Sequence, residues 1–142
     1  MNGFLIDTNV LSEYNRARNP DAGVKRWLET TRRDLQHVSV ISFAEIQKGI
    51  ELLPIGKRRL QLEQWFKQEL EMWFSGRVLP IDRHVASHWA SLLAQSMPLG
   101  RPLPTLDSLI AATALAYDLI LVTRNVRDFH GTGVATINPW GN

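Results

Sequence analysis

Short apolar runs alternate with longer segments of helical period along almost the whole chain, and that alternation leaves few folds open. Phe4-Leu5-Ile6, Val38-Ser39-Val40-Ile41 and Leu119-Ile120-Leu121-Val122 are too short to be helices and rich in residues that suit a pleated surface. The stretches between them carry apolar residues three and four apart. Such a pattern predicts βα units round a parallel sheet rather than a helix bundle. Strands are expected at about 3–6, 37–41, 77–80, 119–122 and 134–137.

Helices are expected at about 8–16 and 21–33, the latter carrying Val24, Trp27 and Leu28. A third has Ile46, Ile50 and Leu53 on one face and stops at Pro54-Ile55-Gly56. A long amphipathic segment at about 57–74 follows, with Leu62, Trp65, Phe66, Leu70 and Trp73. Another helix, about 82–96, carries Val85, Trp89 and Leu92. The loop MPLGRPLPT then presents a last helix from Thr105, and Asn138-Pro139-Trp140 closes the final strand. No repeat, low-complexity tract or linker interrupts the 142 residues, which read as one domain over 1–142.

In a parallel sheet every strand ends, and every following helix begins, at the same edge, and ligands bind in the crevice there. Asp7 ends the first apolar run, Glu45 falls in the first turn after the second, and Asp107 opens LDSLIAATALA. Asn125 and Asp128 follow the fourth run in LVTRNVRDF. Each acid has a plain structural explanation. Asp7 suits a helix N-cap, Ser42 and Glu45 have capping-box spacing, and Asp107 sits where a helix dipole favours an anion. Three unrelated caps need not converge, whereas this topology brings all three to one edge. Two carboxylates about 5 Å apart repel by roughly 3 kcal/mol at an effective dielectric near 20. A hard divalent cation removes that repulsion, so metal-dependent chemistry on a phosphate is the expected function.

Charge supports the same substrate class. There are 16 basic and 14 acidic side chains; with three acids assigned to a metal, 11 remain against 16. The basic residues cluster at Lys25-Arg26, Arg32-Arg33, Lys57-Arg58-Arg59 and Arg124/Arg127, a distribution that suits a polyanion reaching an acidic pocket. The absence of cysteine excludes disulfides and thiolate zinc sites. No signal peptide is evident and no window nears the roughly 18 apolar residues of a membrane span, so a cytoplasmic protein is expected. His84 and His88 are four apart, but HVASH lacks the glutamate of a zinc protease; Gly131-Thr132-Gly133 is too short for a dinucleotide loop.

In order, LIDTNVLSE, SFAEIQKGI, LPTLDSLIAATAL, LVTRNVRDF and INPW resemble the PIN-domain ribonucleases, and within them the VapC-type toxins of bacterial toxin–antitoxin systems, including the FitB-like branch. That resemblance implies a three-layer α/β/α fold with a central parallel sheet of about five strands. It implies Mg²⁺- or Mn²⁺-dependent cleavage of RNA, inhibition by a cognate antitoxin, a homodimer, and contact with DNA only through the antitoxin. Asp7, Glu45 and Asp107 match the family's three acidic metal positions, and Asn125 falls at the fourth, where some members carry aspartate. Asp128 stands ready to compensate or to anchor the loop. Thr8, Asn9 and Thr123 look like groups that orient the ligands or the substrate, and Arg124 and Arg127 like nucleic-acid contacts.

Two other readings stay open at this level. A phosphatase using Asp7 as nucleophile would want a second aspartate where Asn9 stands. A catalytically weak nucleic-acid-binding partner would need no metal. The apolar surface of the 57–74 segment is expected to serve dimer and antitoxin contacts, with an antitoxin arginine or lysine pairing the carboxylates.

Overall fold

The computed structural model describes residues 2–15, 19–100 and 103–141. Arg16, the expected end of the first helix, and Arg101-Pro102 in the proline-rich loop lie outside the described residues. The chain runs β1 (Phe4–Ile6), α1 (Thr8–Tyr14), α2 (Ala22–Thr30), β2 (Gln36–Ser39) and α3 (Val40–Glu51). It continues through α4 (Lys57–Trp65), a π turn (Phe66–Leu70), α5 (Glu71–Trp73), β3 (Val78–Leu79) and α6 (Arg83–Ser96). The last elements are α7 (Thr105–Ala116), β4 (Ile120–Val122), a 3₁₀ turn (Val126–Phe129) and β5 (Thr136–Ile137).

All strand pairings are parallel, in the order β3-β2-β1-β4-β5. Leu5 pairs with Leu121 and Ile6 with Val122 at the centre. Successive strand residues face opposite sides, and two cores follow. Ile6, Val38 and Val122 join Val10, Leu28, Ile50, Phe66 and Phe74 on one face. Leu5 and Leu121 join Leu92, Ile110, Ala111 and Phe129 on the other. Each such large side chain contributes about 1.5–3 kcal/mol by burial. The result is the expected three-layer α/β/α sandwich on a five-stranded parallel sheet. Among the described residues, no helix is long and apolar enough to cross a membrane.

Two local readings change. The third helix starts earlier than its Ser42–Glu45 spacing implied: the Ser39 hydroxyl accepts the Ile41 amide and caps it, so Glu45 lies in the second turn. Ser42 is instead buried, its hydroxyl without a hydrogen bond. The 57–74 segment spends most of its apolar surface on the molecule itself. Phe66 and Leu70 are buried, and Leu62, Trp65 and Trp73 pack against the same core. The π turn, a local irregularity of the helix ladder, carries both Phe66 and Leu70 inward. What this region leaves open is Leu60 and Met72, exposed to 56% and 74%, and a cavity of about 380 Å³ bounded by Leu11, Leu28, Trp65 and Trp73.

Candidate metal centre

The strand order reverses between β1 and β4, so the crevice at their carboxyl ends is the place where this topology admits a ligand. Asp7 follows β1 directly and Thr123 follows β4. The Asp7 amide donates to the Val122 carbonyl at 2.9 Å, which carries the sheet register into the site. Asp7 is also the N-cap of α1, its Oδ1 accepting the Thr8 amide at 2.8 Å. Oδ2 accepts the hydroxyl of Thr123, also at 2.8 Å. The capping role and the site role are thus filled by the same side chain.

Thr123 is fully buried and ties three segments together. Its oxygen donates to Asp7 and accepts from Asn9 Nδ2 at 3.3 Å and from the Asn125 amide at 3.1 Å. Asn9 Oδ1 in turn accepts the Arg124 amide at 3.3 Å. Thr8 serves the neighbouring acid: its hydroxyl donates to Glu45 Oε1 at 2.6 Å. Thr8 and Thr123 thus donate to the carboxylates of Glu45 and Asp7, while Asn9 braces Thr123.

The electrostatics place the acids together. Burial pushes the Asp7 carboxyl up to about 6, despite the downward pull of the Thr123 and Thr8 hydrogen bonds, and the charges of Asp107 and Glu45 push it the same way. Asp107, in the first turn of α7, is raised by burial, then by Asp128, then by Glu45. Among the described residues, the charges that act most on these two groups are those of Asp107, Glu45 and Asp128, all negative. Asn125 is exposed and enters the network through its backbone amide. Asp128, brought round by the 3₁₀ turn, is the carboxylate that acts most strongly on Asp107.

The arginines stand differently from the acids. The Arg124 guanidinium lies over the Trp140 ring at 5.0 Å and acts on Asp21. Sequence reasoning misses this contact, although INPW belongs to the family pattern. Asp21 caps α2 and accepts the Gly141 amide at 2.9 Å, which fixes the tail. A Cβ on Gly23 would meet Gly141 N at 2.3 Å, so only glycine lets the tail pass. Arg127 is exposed. His84 is committed elsewhere, its Nε2 being 2.7 Å from the Ala116 carbonyl.

Such an edge, with acids at the switch point of a five-stranded parallel sheet, has close counterparts among known proteins. The family model for the PIN domain matches residues 4–133. The chain belongs to the PIN-domain family. It is 35% identical to the VapC ribonuclease Y4jK of Sinorhizobium fredii over 137 residues, covering 96% of this chain and 97% of that one. It is likewise 35% identical to Toxin FitB of Neisseria gonorrhoeae, covering 96% and 98%. Among solved structures, FitAB bound to an IR36 DNA fragment superposes with a TM-score of 0.91 at 34% identity, covering 98% of this PIN-domain chain and 96% of that one.

The donor set of this PIN domain fits a hard divalent cation by its chemistry: every group is a carboxylate or amide oxygen, and the carboxylates burden one another. Among the described residues no three His, Asp or Glu side chains form a ready-made cage. Magnesium does not require one, since it is commonly held by one or two carboxylates with water completing its shell.

Proposed function

We propose that this PIN-domain protein is an endoribonuclease, the toxin of a toxin–antitoxin pair, which hydrolyses RNA phosphodiesters with Mg²⁺ or Mn²⁺ held by Asp7, Asp107 and Glu45. The observation that carries the reading is the gathering of Asp7, Glu45 and Asp107 at the carboxyl edge of the sheet, where Asp7 is buried on Thr123 and Thr8 and Glu45 is held by Thr8; burial and the neighbouring carboxylates push the carboxyls of Asp7 and Asp107 upward. A site strained in that way is relieved by a divalent cation. Two relatives whose names say ribonuclease and toxin, each aligned over nearly the whole chain, support the same reading.

When bound, the cation supplies Lewis acidity towards a phosphoryl oxygen and towards water. The chain's own groups do the rest. Thr123 and the Thr8 amide fix both Asp7 oxygens, so the carboxylate cannot rotate away. Thr8 holds Glu45 by Oε1 only, which leaves Oε2 to take a proton from an attacking water. Asp128 faces Asp107 and fills the fourth acidic role, while the exposed Asn125 side chain is free to touch the substrate. Arg127, exposed in the 3₁₀ turn after β4, meets a flanking phosphate, whereas Arg124 is taken up by the Trp140 ring.

Two partners belong to the proposal. A second copy completes a homodimer, and a cognate antitoxin covers the cleft and carries any contact with DNA. The cavity of about 380 Å³ between α1, α2 and the α4–α5 rod is the seat for an apolar antitoxin side chain. The deciding experiment incubates the protein with a mixed RNA pool in Mg²⁺, Mn²⁺ and EDTA. Cleavage in metal, lost in EDTA and in Asp107→Asn, is expected. RNA bound tightly yet never cut would favour the binding-partner reading instead.

A further inference from the structure

A second groove opens directly off the acidic site, between α1, α3 and α4. Its volume is about 280 Å³, and its wall includes both Thr8 and Glu45, the pair joined at 2.6 Å inside the site. Asn15, Arg58, Trp65 and Gly49 line its upper wall, over an apolar floor that includes Ile46 and Leu62. At this size, near the lower end of ligand pockets, it suits one flat group rather than a large ligand.

Gly49 is the telling residue. It lies in α3 with ordinary helical backbone, and a Cβ built on it meets nothing within 4 Å. Neither backbone geometry nor packing calls for glycine there, and alanine would stabilise the helix by about 0.5–1 kcal/mol. What the glycine does is leave the groove wall bare. Three of the other lining groups have the chemistry of a nucleotide site, and the aliphatic floor suits the flat face of a base. Trp65 offers an indole, which is sequence-tolerant ground for a base. Asn15 carries both a donor and an acceptor. Arg58 is exposed and makes no ion pair among the described residues, so its charge is available to a phosphate.

We propose that this groove is a nucleobase subsite, holding a base of the RNA strand adjacent to the phosphate in the acidic site, with Arg58 on the neighbouring phosphate. The assignment rests on the ribonuclease reading above, and it makes Gly49, Arg58 and Trp65 the residues that set where the RNA is cut.

The test compares the full chain with Gly49→Ala, Gly49→Leu and Arg58→Ala on a randomised oligoribonucleotide pool in Mg²⁺ and Mn²⁺. It records KM, kcat, the bases flanking each cut and the thermal midpoint. Graded loss from Gly to Ala to Leu is expected, with KM raised about tenfold in Gly49→Leu, a flattened base preference at one flanking position, and a thermal midpoint in Gly49→Ala at or above the parent's. Arg58→Ala should reduce the salt slope of KM by about one counterion. If the parent cleaves and Gly49→Leu and Arg58→Ala both keep its KM and base preference, the subsite is wrong and the ribonuclease reading stands. If the parent cleaves no RNA in either metal, both fall together. If Gly49→Leu cuts like the parent but escapes inhibition by the protein encoded beside its gene, the groove seats a protein partner and the nucleobase assignment is overturned.

Discussion

The two halves of the acidic cleft are built in opposite ways. On the β1/β4 side, Asp7 is 7% exposed, both its oxygens are held by donors, and the fully buried Thr123 binds it to Asn9 and Asn125. On the α7 side, Asp107 is half-buried and its strongest neighbour is another acid, Asp128. One half is fixed by hydrogen bonds; the other is held apart by like charge. Hydrogen-bond partners of this kind orient a metal ligand, so the Asp7 side sets where the site lies, and the Asp107 side brings charge that a cation relieves. The contrast predicts that changes on the Asp7 side will show in stability and activity together, and changes on the Asp107 side mostly in metal affinity.

The largest effect is expected for Asp7→Asn. Activity should fall by more than about 100-fold, since losing a group that merely orients a metal ligand already costs about 10–100-fold. Stability should move the other way. The folded-state pKa of Asp7, about 6, lies above its ordinary value of 3.8, so the folded protein holds this proton more tightly than the unfolded chain. Stability is then greatest below the unfolded value and falls as pH rises from about 4 to 6, by up to roughly 3 kcal/mol. Asparagine removes that loss. In EDTA, thermal melts of the parent should decline across this window, those of Asp7→Asn should stay flatter, and Mg²⁺ should restore the parent at pH 7. Identical pH profiles for the two proteins would show that Asp7 carries no such strain.

Thr123→Val comes next. The change keeps shape but strands Asp7 Oδ2 in a buried setting, and takes a partner from the part-buried Asn9 Nδ2 and Asn125 amide. A buried group left unsatisfied costs about 1–3 kcal/mol, so urea melts should lose about that much and activity should drop about tenfold. A variant as stable and active as the parent would mean that Asp7 is held by the Thr8 amide alone.

Much of this arrangement is legible in the amino-acid sequence itself. The alternation of apolar runs gives the layers, because a parallel sheet buried on both faces has to read as short continuous hydrophobic stretches. Leu5 and Ile6 belong to different cores for that reason. Asp7 and Asp107 are legible because strand ends and helix starts fix their positions, whereas Thr123 enters through the family resemblance. Less legible is whatever depends on side chains far apart in the chain. Ser39 takes the cap that the Ser42–Glu45 spacing predicts for Ser42, because the strand ends one residue before Val40 turns helical. Arg124 looks like a cation for the site, yet the Trp140 ring and Asp21 draw it away. Nor does periodicity show the π turn that buries Phe66 and Leu70 in one core.

The smallest predicted effect separates two neighbours in LVTRNVRDF. Resemblance to the family puts Asn125 at the fourth acidic position. By electrostatics, Asp128 is the residue that bears on Asp107. The 3₁₀ turn accounts for the exchange: its first carbonyl, that of Asn125, accepts the Asp128 amide at 3.0 Å, and the turn carries Asp128 back towards α7. Asp128→Asn should therefore weaken Mn²⁺ binding about tenfold, at the lower end for a residue supporting a metal ligand. Asn125→Ala should change it by less than about threefold, since the contribution of Asn125 to the Thr123 network is a backbone amide that alanine retains. Calorimetric titration of Mn²⁺ into both variants ranks them. Should Asn125→Ala prove the weaker binder, the fourth position belongs to the amide side chain, and Asp128 serves only to keep Asp107 responsive to the cation.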